Sequence, residues 1–293
     1  MRINRNKARY QCFCRFLGVL SAIVLLLAFS RTVMAEELEM VNRPVNTSGL
    51  TGLLFTTTPF TLPQKSVEIG ATTLSENSAV PNFSINELPA ITVTMGITQG
   101  VELALKGSYV HKTMNGGVKE RGAGDTELSY KWNFLPQTES ASRPAVAIII
   151  SGIAPTSNKD LDLGGVTHWG ARLGLSAGRE MVWGDHVIGI YADAQMMLHD
   201  LSDERIRDSF GIVNTGLLIP ISKYRNLQMI VEYNTIIGMS KITATGGDYS
   251  GVTYGLRLVS ERFNLSIGSQ FLRKEQIGFD NSTRLIGMTS FKF

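Results

Sequence analysis

The chain has 293 residues, with 28 basic and 25 acidic side chains and a net charge of +3. Six of the basic residues (Arg2, Arg5, Lys7, Arg9, Arg15 and Arg31) and none of the acids fall in the first 35 positions, so the remainder carries 22 basic against 25 acidic groups, a net −3. That balance removes the basic surface a nucleic-acid-binding protein needs, and with Cys12 and Cys14 both in the same opening stretch, disulfide and thiol chemistry are excluded after Ala35.

Residues 1–35 combine a basic start, an apolar run from Phe16 to Phe29 and compact residues at Val33 and Ala35. Together these predict a secretory signal peptide cleaved after Ala35. The run is short of the roughly 20 apolar residues that a spanning helix needs. No later stretch reaches 18 consecutive apolar residues. A membrane location would therefore demand a closed barrel, because lipid offers no partner for the edge groups of an open sheet.

Residues 36–65 come next and include Gly49-Leu50, Thr58-Pro59 and Leu62-Pro63. The prolines restrict the backbone and remove donors. Two readings of this segment are open: an extended piece tucked into a barrel mouth, and a disordered periplasmic lead-in.

From 66 onward the chain alternates. Val101, Leu103, Leu105 and Tyr109 oppose Glu102, Lys106 and Ser108; Leu128, Tyr130, Trp132 and Phe134 oppose Glu127, Ser129, Lys131 and Asn133. Period two over nine or ten residues is a strand signal of membrane-spanning length. Twelve such segments are expected: 66–75, 89–97, 101–111, 125–134, 144–152, 167–177, 186–196, 207–218, 226–237, 250–259, 262–271 and 283–293. Segment 144–152 is apolar on both faces and would suit a buried strand of a soluble protein equally well.

The connections sort by length. Short ones fall near 98–100, 178–185, 222–225 and 260–261, and long ones near 76–88, 112–124, 153–166, 197–206, 238–249 and 272–282, with Leu135–Arg143 outside the scheme. Short turns on one side and long loops on the other, with an even strand count, predict an all-β, antiparallel, up-and-down transmembrane barrel over residues 66–293. Aromatic residues on the expected outer face gather at both ends of the strands. Trp132, Phe134, Phe263, Phe291 and Phe293 lie toward the short turns, and Tyr109, Trp169, Phe210 and Phe271 toward the long loops, as interfacial belts require.

The chain ends on Phe291-Lys292-Phe293. This end is similar to the terminal strand of outer-membrane barrels, in which a final aromatic is read by the barrel-assembly machinery, and it implies that role for Phe291 and Phe293. It departs from the pattern at Thr289 and Gly287, where larger apolar residues are usual. The stretch from Gly49 to Lys65 resembles the opening of a group of bacterial outer-membrane barrels, and Gly122-Ala123-Gly124-Asp125 looks like that group's Gly-x-Gly-Asp entry into a strand. The group includes transporter barrels associated with phenol (meta-pathway) degradation and barrels linked to exopolysaccharide export. The resemblance implies the cell outer membrane, outer-membrane lipid as surroundings, and no cofactor.

The expected inner face carries Glu68, Glu102, Lys106, Glu127, Lys131, Arg172, Asp193, Glu232 and Arg257. Enclosed charges must pair or meet water. The set suits a narrow hydrated channel for small solutes, and equally a cross-braced, filled interior serving a structural or envelope-biogenesis role. A third reading is a hydrolase at the rim. No His-x-Ser pair occurs, His111-Lys112-Thr113 being the nearest, and Asp160, Asp162, His199 and Asp200 fall in expected outer loops. No Walker loop, zinc motif or dinucleotide fingerprint is present.

Overall fold

The computed structural model describes residues 43–78, 83–113, 119–137, 143–157, 169–183, 186–199, 209–221, 226–238, 249–274 and 281–293. The leader 1–35, Asp160, Asp162 and Asp200, and the side chain of His199, lie outside the described residues.

Thirteen strands follow in order: β1 (Val67–Ser78), β2 (Phe83–Thr98), β3 (Val101–Thr113), β4 (Lys119–Ala123), β5 (Thr126–Leu135), β6 (Ala145–Ala154), β7 (Gly170–Trp183), β8 (His186–His199), β9 (Ser209–Pro220), β10 (Leu227–Gly238), β11 (Tyr249–Val259), β12 (Phe263–Lys274) and β13 (Ser282–Lys292). All pairings are antiparallel, and β1 closes the sheet on β13 from Glu68↔Lys292 to Ser78↔Ser282. β4 and β5 lie end to end along the same side of β3, so the wall is a closed barrel of twelve strands. Closure leaves no open edge, which is the condition for strands to cross lipid.

Several strands run past the ends expected from sequence. β2 begins at Phe83 rather than 89, and its register with β3 shifts between Glu87 and Ala90. Leu88-Pro89 sits in that irregularity, the place in a sheet where a residue without an N–H is tolerated. β7 continues through Arg179 and Glu180 to Trp183, which leaves only residues 184–185 between it and β8. Charged side chains there read as turn residues in sequence, yet Glu180 is buried in the barrel.

The outer face is apolar, with Leu128, Ile267 and Phe271 each 56–57 % exposed. At the short-turn end Trp132 lies 5.9 Å from Phe134 and Phe263 lies 5.1 Å from Phe291, centroid to centroid. Tyr109, Trp169 and Phe271 are exposed toward the other end. Phe210 departs from the expected outer belt. It pairs with Met197, and the next same-face pairs, Gln195↔Ile212 and Asp193↔Asn214, carry interior side chains. The period-two rule therefore turns Phe210 inward.

The doubly apolar β6 also resolves. Ala145, Ala147 and Ile149 face in and Ile150 faces out. Ile149 packs with Ala104 and with Leu50, a residue from ahead of the first strand.

Candidate functional site: the occupied lumen

Residues 43–63 are folded inside the barrel, where Val45, Leu50, Leu53, Leu54 and Leu62 are all buried. The segment has its own local order. Asn46 N–H donates to the Leu50 carbonyl (2.8 Å) and Gly49 N–H to the Asn46 carbonyl (2.9 Å). Gly49 sits at φ +87°, a conformation that costs glycine little. Asn46 Oδ1 accepts from Ser48 N–H, the side-chain turn typical of asparagine. Bridges Val45↔Thr51 and Gly52↔Thr57 complete a compact double turn.

Most of the segment's outward backbone groups are met by charged wall side chains. Glu102 accepts from Thr51 N–H (2.9 Å), the Thr51 hydroxyl (2.6 Å) and Leu62 N–H (2.8 Å). Lys131, in register with Glu102 across β3 and β5, is 2.7 Å from that carboxylate and donates to the Thr51 and Thr58 carbonyls, both at 3.1 Å. Glu232 accepts from Thr56 N–H at 2.7 Å and Phe55 N–H at 3.1 Å. Asp193 accepts from Thr57 N–H at 2.7 Å, and Ser176 donates to the Thr57 carbonyl. Arg257 donates to the Gly52 (3.0 Å) and Leu53 (2.7 Å) carbonyls, and Glu68 accepts from Val45 N–H at 3.1 Å. Anions meet N–H groups and cations meet carbonyls along the segment, so each of these six buried charges (Glu68, Glu102, Lys131, Asp193, Glu232 and Arg257) has charge-assisted partners there.

Apolar contacts hold the middle. Leu53 and Leu54 join Val187, Tyr191, Leu218, Ile230, Ile286 and Met288 in one buried cluster. The wall is thinned to admit them. A Cβ at Gly216 would stand 2.3 Å from Leu53 Cδ1, and one at Gly255 or Gly268 would stand 2.6 Å from Leu54 Cδ1. At the segment's start, Arg43 pairs with Glu180, which also accepts from the Tyr191 hydroxyl at 2.6 Å. The Arg43 guanidinium lies 3.8 Å above the Phe60 ring, whose edge meets Tyr191.

Six of the nine charges expected on the inner face thus gather on this segment: Glu68, Glu102, Lys131, Asp193, Glu232 and Arg257. The other three do not touch it. Lys106 pairs with Glu87 at 3.4 Å and Arg172 with Glu127 at 3.1 Å. With Arg284 and Glu76, 2.7 Å apart, they line the half of the lumen nearer the long connections. Glu180 was missed in sequence because 178–185 reads as a turn, and Tyr191, inside the expected strand 186–196, because the inner face was searched for charges. Carrying the alternation from Arg172 on to Glu180 exposes Glu180.

Among solved structures, an outer-membrane channel from Pseudomonas putida F1 superposes with a TM-score of 0.64, at 12% identity, over 80% of this chain and 98% of that one. The β domain of the Bordetella autotransporter Brka gives a TM-score of 0.50 at 11% identity, over 78% of this chain and 100% of that one. At such identities the likeness shows the fold alone. No protein-family model and no curated protein matches the chain. The closed wall, its apolar outer face and these likenesses make the chain an outer-membrane β-barrel.

Proposed function

We propose that the chain is an outer-membrane channel for small solutes, shut in this state by residues 43–63 acting as a plug. One observation carries the reading: the charges of the plugged half are bonded to the plug's backbone, with the Glu102–Lys131 pair itself straddling it. A barrel that only needed filling could brace wall to wall. Withdrawal of the plug would leave carboxylates, Lys131 and Arg257 facing a passage that water can enter. The plug's internal hydrogen bonds would go with it as a unit. The P. putida neighbour, a channel by its description, supports the same class, and the resemblance of residues 49–65 to barrels associated with phenol degradation favours small, apolar solutes.

The test is conductance in planar bilayers of the full chain and of a chain lacking residues 43–63, each verified as folded by its heat-modifiable gel shift. The deletion is expected to give sustained openings and the full chain closed or brief ones. A folded deletion protein that stays silent overturns the channel reading. It would favour a structural barrel instead, a reading supported by the apolar anchorage of Leu53 and Leu54.

A further inference from the structure

The outer surface of β1 to β4 carries a feature that neither the plug nor the apolar belt uses. The extra residues at the register shifts between β2 and β3 lie on β2, so β3 itself alternates unbroken from Val101 to Thr113, and Leu105, Tyr109 and His111 share the outward face. The partner strand shifts. β3 pairs Lys106↔Glu127 with β5 but Tyr109↔Ala123 with β4, one residue out of step. The Gly124-Asp125 step takes up the offset. Gly124 packs where a Cβ would stand 2.3 Å from Ser108 Oγ, and Asp125 accepts from Ser157 N–H at 3.1 Å. The shift sets Arg121 opposite His111 and Lys119 opposite Thr113, with Arg121 and Lys119 both exposed.

Beside them on the same face, Asn86 pairs with both His111 and Ser75, and Ser75 Oγ and Ser84 Oγ bond the Asn86 amide at 2.6 and 3.2 Å. Ser75 faces out because its β13 partner Leu285 is 56% exposed. Going up the wall, the outward residues thus change from apolar to Tyr109 and then to a basic and amide surface. No carboxylate takes an outward position there on β1 to β4 among the described side chains. That level, directly above an aromatic, is where a barrel meets lipid headgroups.

We propose that His111, Arg121 and Lys119, flanked by Asn86 and Ser75, form a docking site for the phosphorylated sugar headgroup of an outer-leaflet glycolipid. The long connections put this end on the cell exterior, where the leaflet consists of glycolipid with phosphates on an amino-sugar headgroup. Paired positions on neighbouring strands put their Cβ atoms about 5 Å apart, close enough for His111 and Arg121 to reach one phosphate, with Lys119 next along the same face of β4. Guanidinium geometry suits such an oxyanion, and amide and hydroxyl groups suit sugar hydroxyls. The inference needs the barrel and its orientation but not an open pore.

Native mass spectrometry of the full purified chain in divalent-free buffer tests it, with bisphosphorylated lipid A and dephosphorylated lipid A as probes. The expected result is about tenfold more adduct with the bisphosphorylated form, and a loss of about thirtyfold in K119A/R121A, since each of the two cations near an anionic lipid surface is worth about 1 kcal/mol, or about fivefold. R143A, at the opposite end of the barrel, should keep full binding. Equal adducts with the two lipids on unaltered protein would overturn the proposal, whether or not the double variant folds. So would a folded double variant that binds as the parent does.

Discussion

In the half of the lumen nearer the chain's first strand and last residue, charged wall groups reach the backbone of residues 43–63; in the half nearer the long connections they reach one another. The same two strands show both arrangements. Glu102 opposite Lys131 on β3 and β5 brackets the plug, while Lys106 opposite Glu127, four residues higher, turns sideways to Glu87 and Arg172. Glu102 and Lys131 are fully buried, whereas the upper side chains keep 11–20% of their exposure. Burial is what separates the two halves energetically. A carboxylate with no water must be answered completely, and one with partial water need not be.

The sharpest way to break this contrast is Glu102→Ala. It leaves Lys131 buried with only carbonyls, and strips the acceptor from Thr51 and Leu62. Removing one partner of a buried pair costs about 3–5 kcal/mol. The expected readout is a clear fall in the urea midpoint of the folded gel band. Replacing both partners, as in E102Q/K131M, should recover most of that loss, because it leaves no unanswered charge. A double variant as weak as E102A would show that the pair is not coupled.

Next in size is Leu54→Ala, which empties the space that Gly255 and Gly268 leave open against the barrel wall. A buried leucine truncated to alanine costs about 2–5 kcal/mol. The loss should appear in the full-length protein as a lower urea midpoint together with more frequent openings in bilayers. L54A protein that unfolds and gates as the parent does would show that this leucine does not hold the plug.

Glu232→Gln is milder, since the carboxamide keeps one oxygen for Thr56 N–H and loses the charge-assisted share of three contacts. Hydrogen bonds to charged groups contribute about 1.5–3 kcal/mol, so about 2 kcal/mol is expected. Bilayer recordings should show more frequent openings alongside the lower urea midpoint. Unchanged gating with reduced stability would mean that Glu232 supports the wall rather than the plug.

How much of this was legible beforehand follows from the same division. The wall was, because lipid on one side and enclosed polar groups on the other impose period two on Leu103, Leu105 and Glu102. The inner charges followed from that period. Their partners did not, because they are main-chain N–H and C=O groups of residues 45–62, which every residue type but proline supplies alike. The side-chain hints were apolar residues on the inner face: Ile149 on β6, whose partner Leu50 is about a hundred positions earlier, and Leu218, Ile230 and Met288, which meet Leu53 and Leu54. Phe210 was misplaced for a related reason. An interior that holds leucines also accepts aromatics, so hydrophobicity alone no longer marks the lipid side.

The smallest expected effect belongs to the upper half. Glu127→Gln removes the charge facing Arg172, a pair that is 3.1 Å long and partly exposed. Ser129, which donates to Glu127, also has Ser151 at 2.8 Å to fall back on. Partly solvated pairs contribute about 1 kcal/mol or less, so the urea midpoint should barely move, and raising the salt concentration should erase the remaining difference. The plug's closure should be unaffected, because no bond from Glu127 or Arg172 reaches residues 43–63. If E127Q instead opened the channel as E232Q is expected to, the two halves would be one continuous network, and the boundary drawn between them by burial would be wrong.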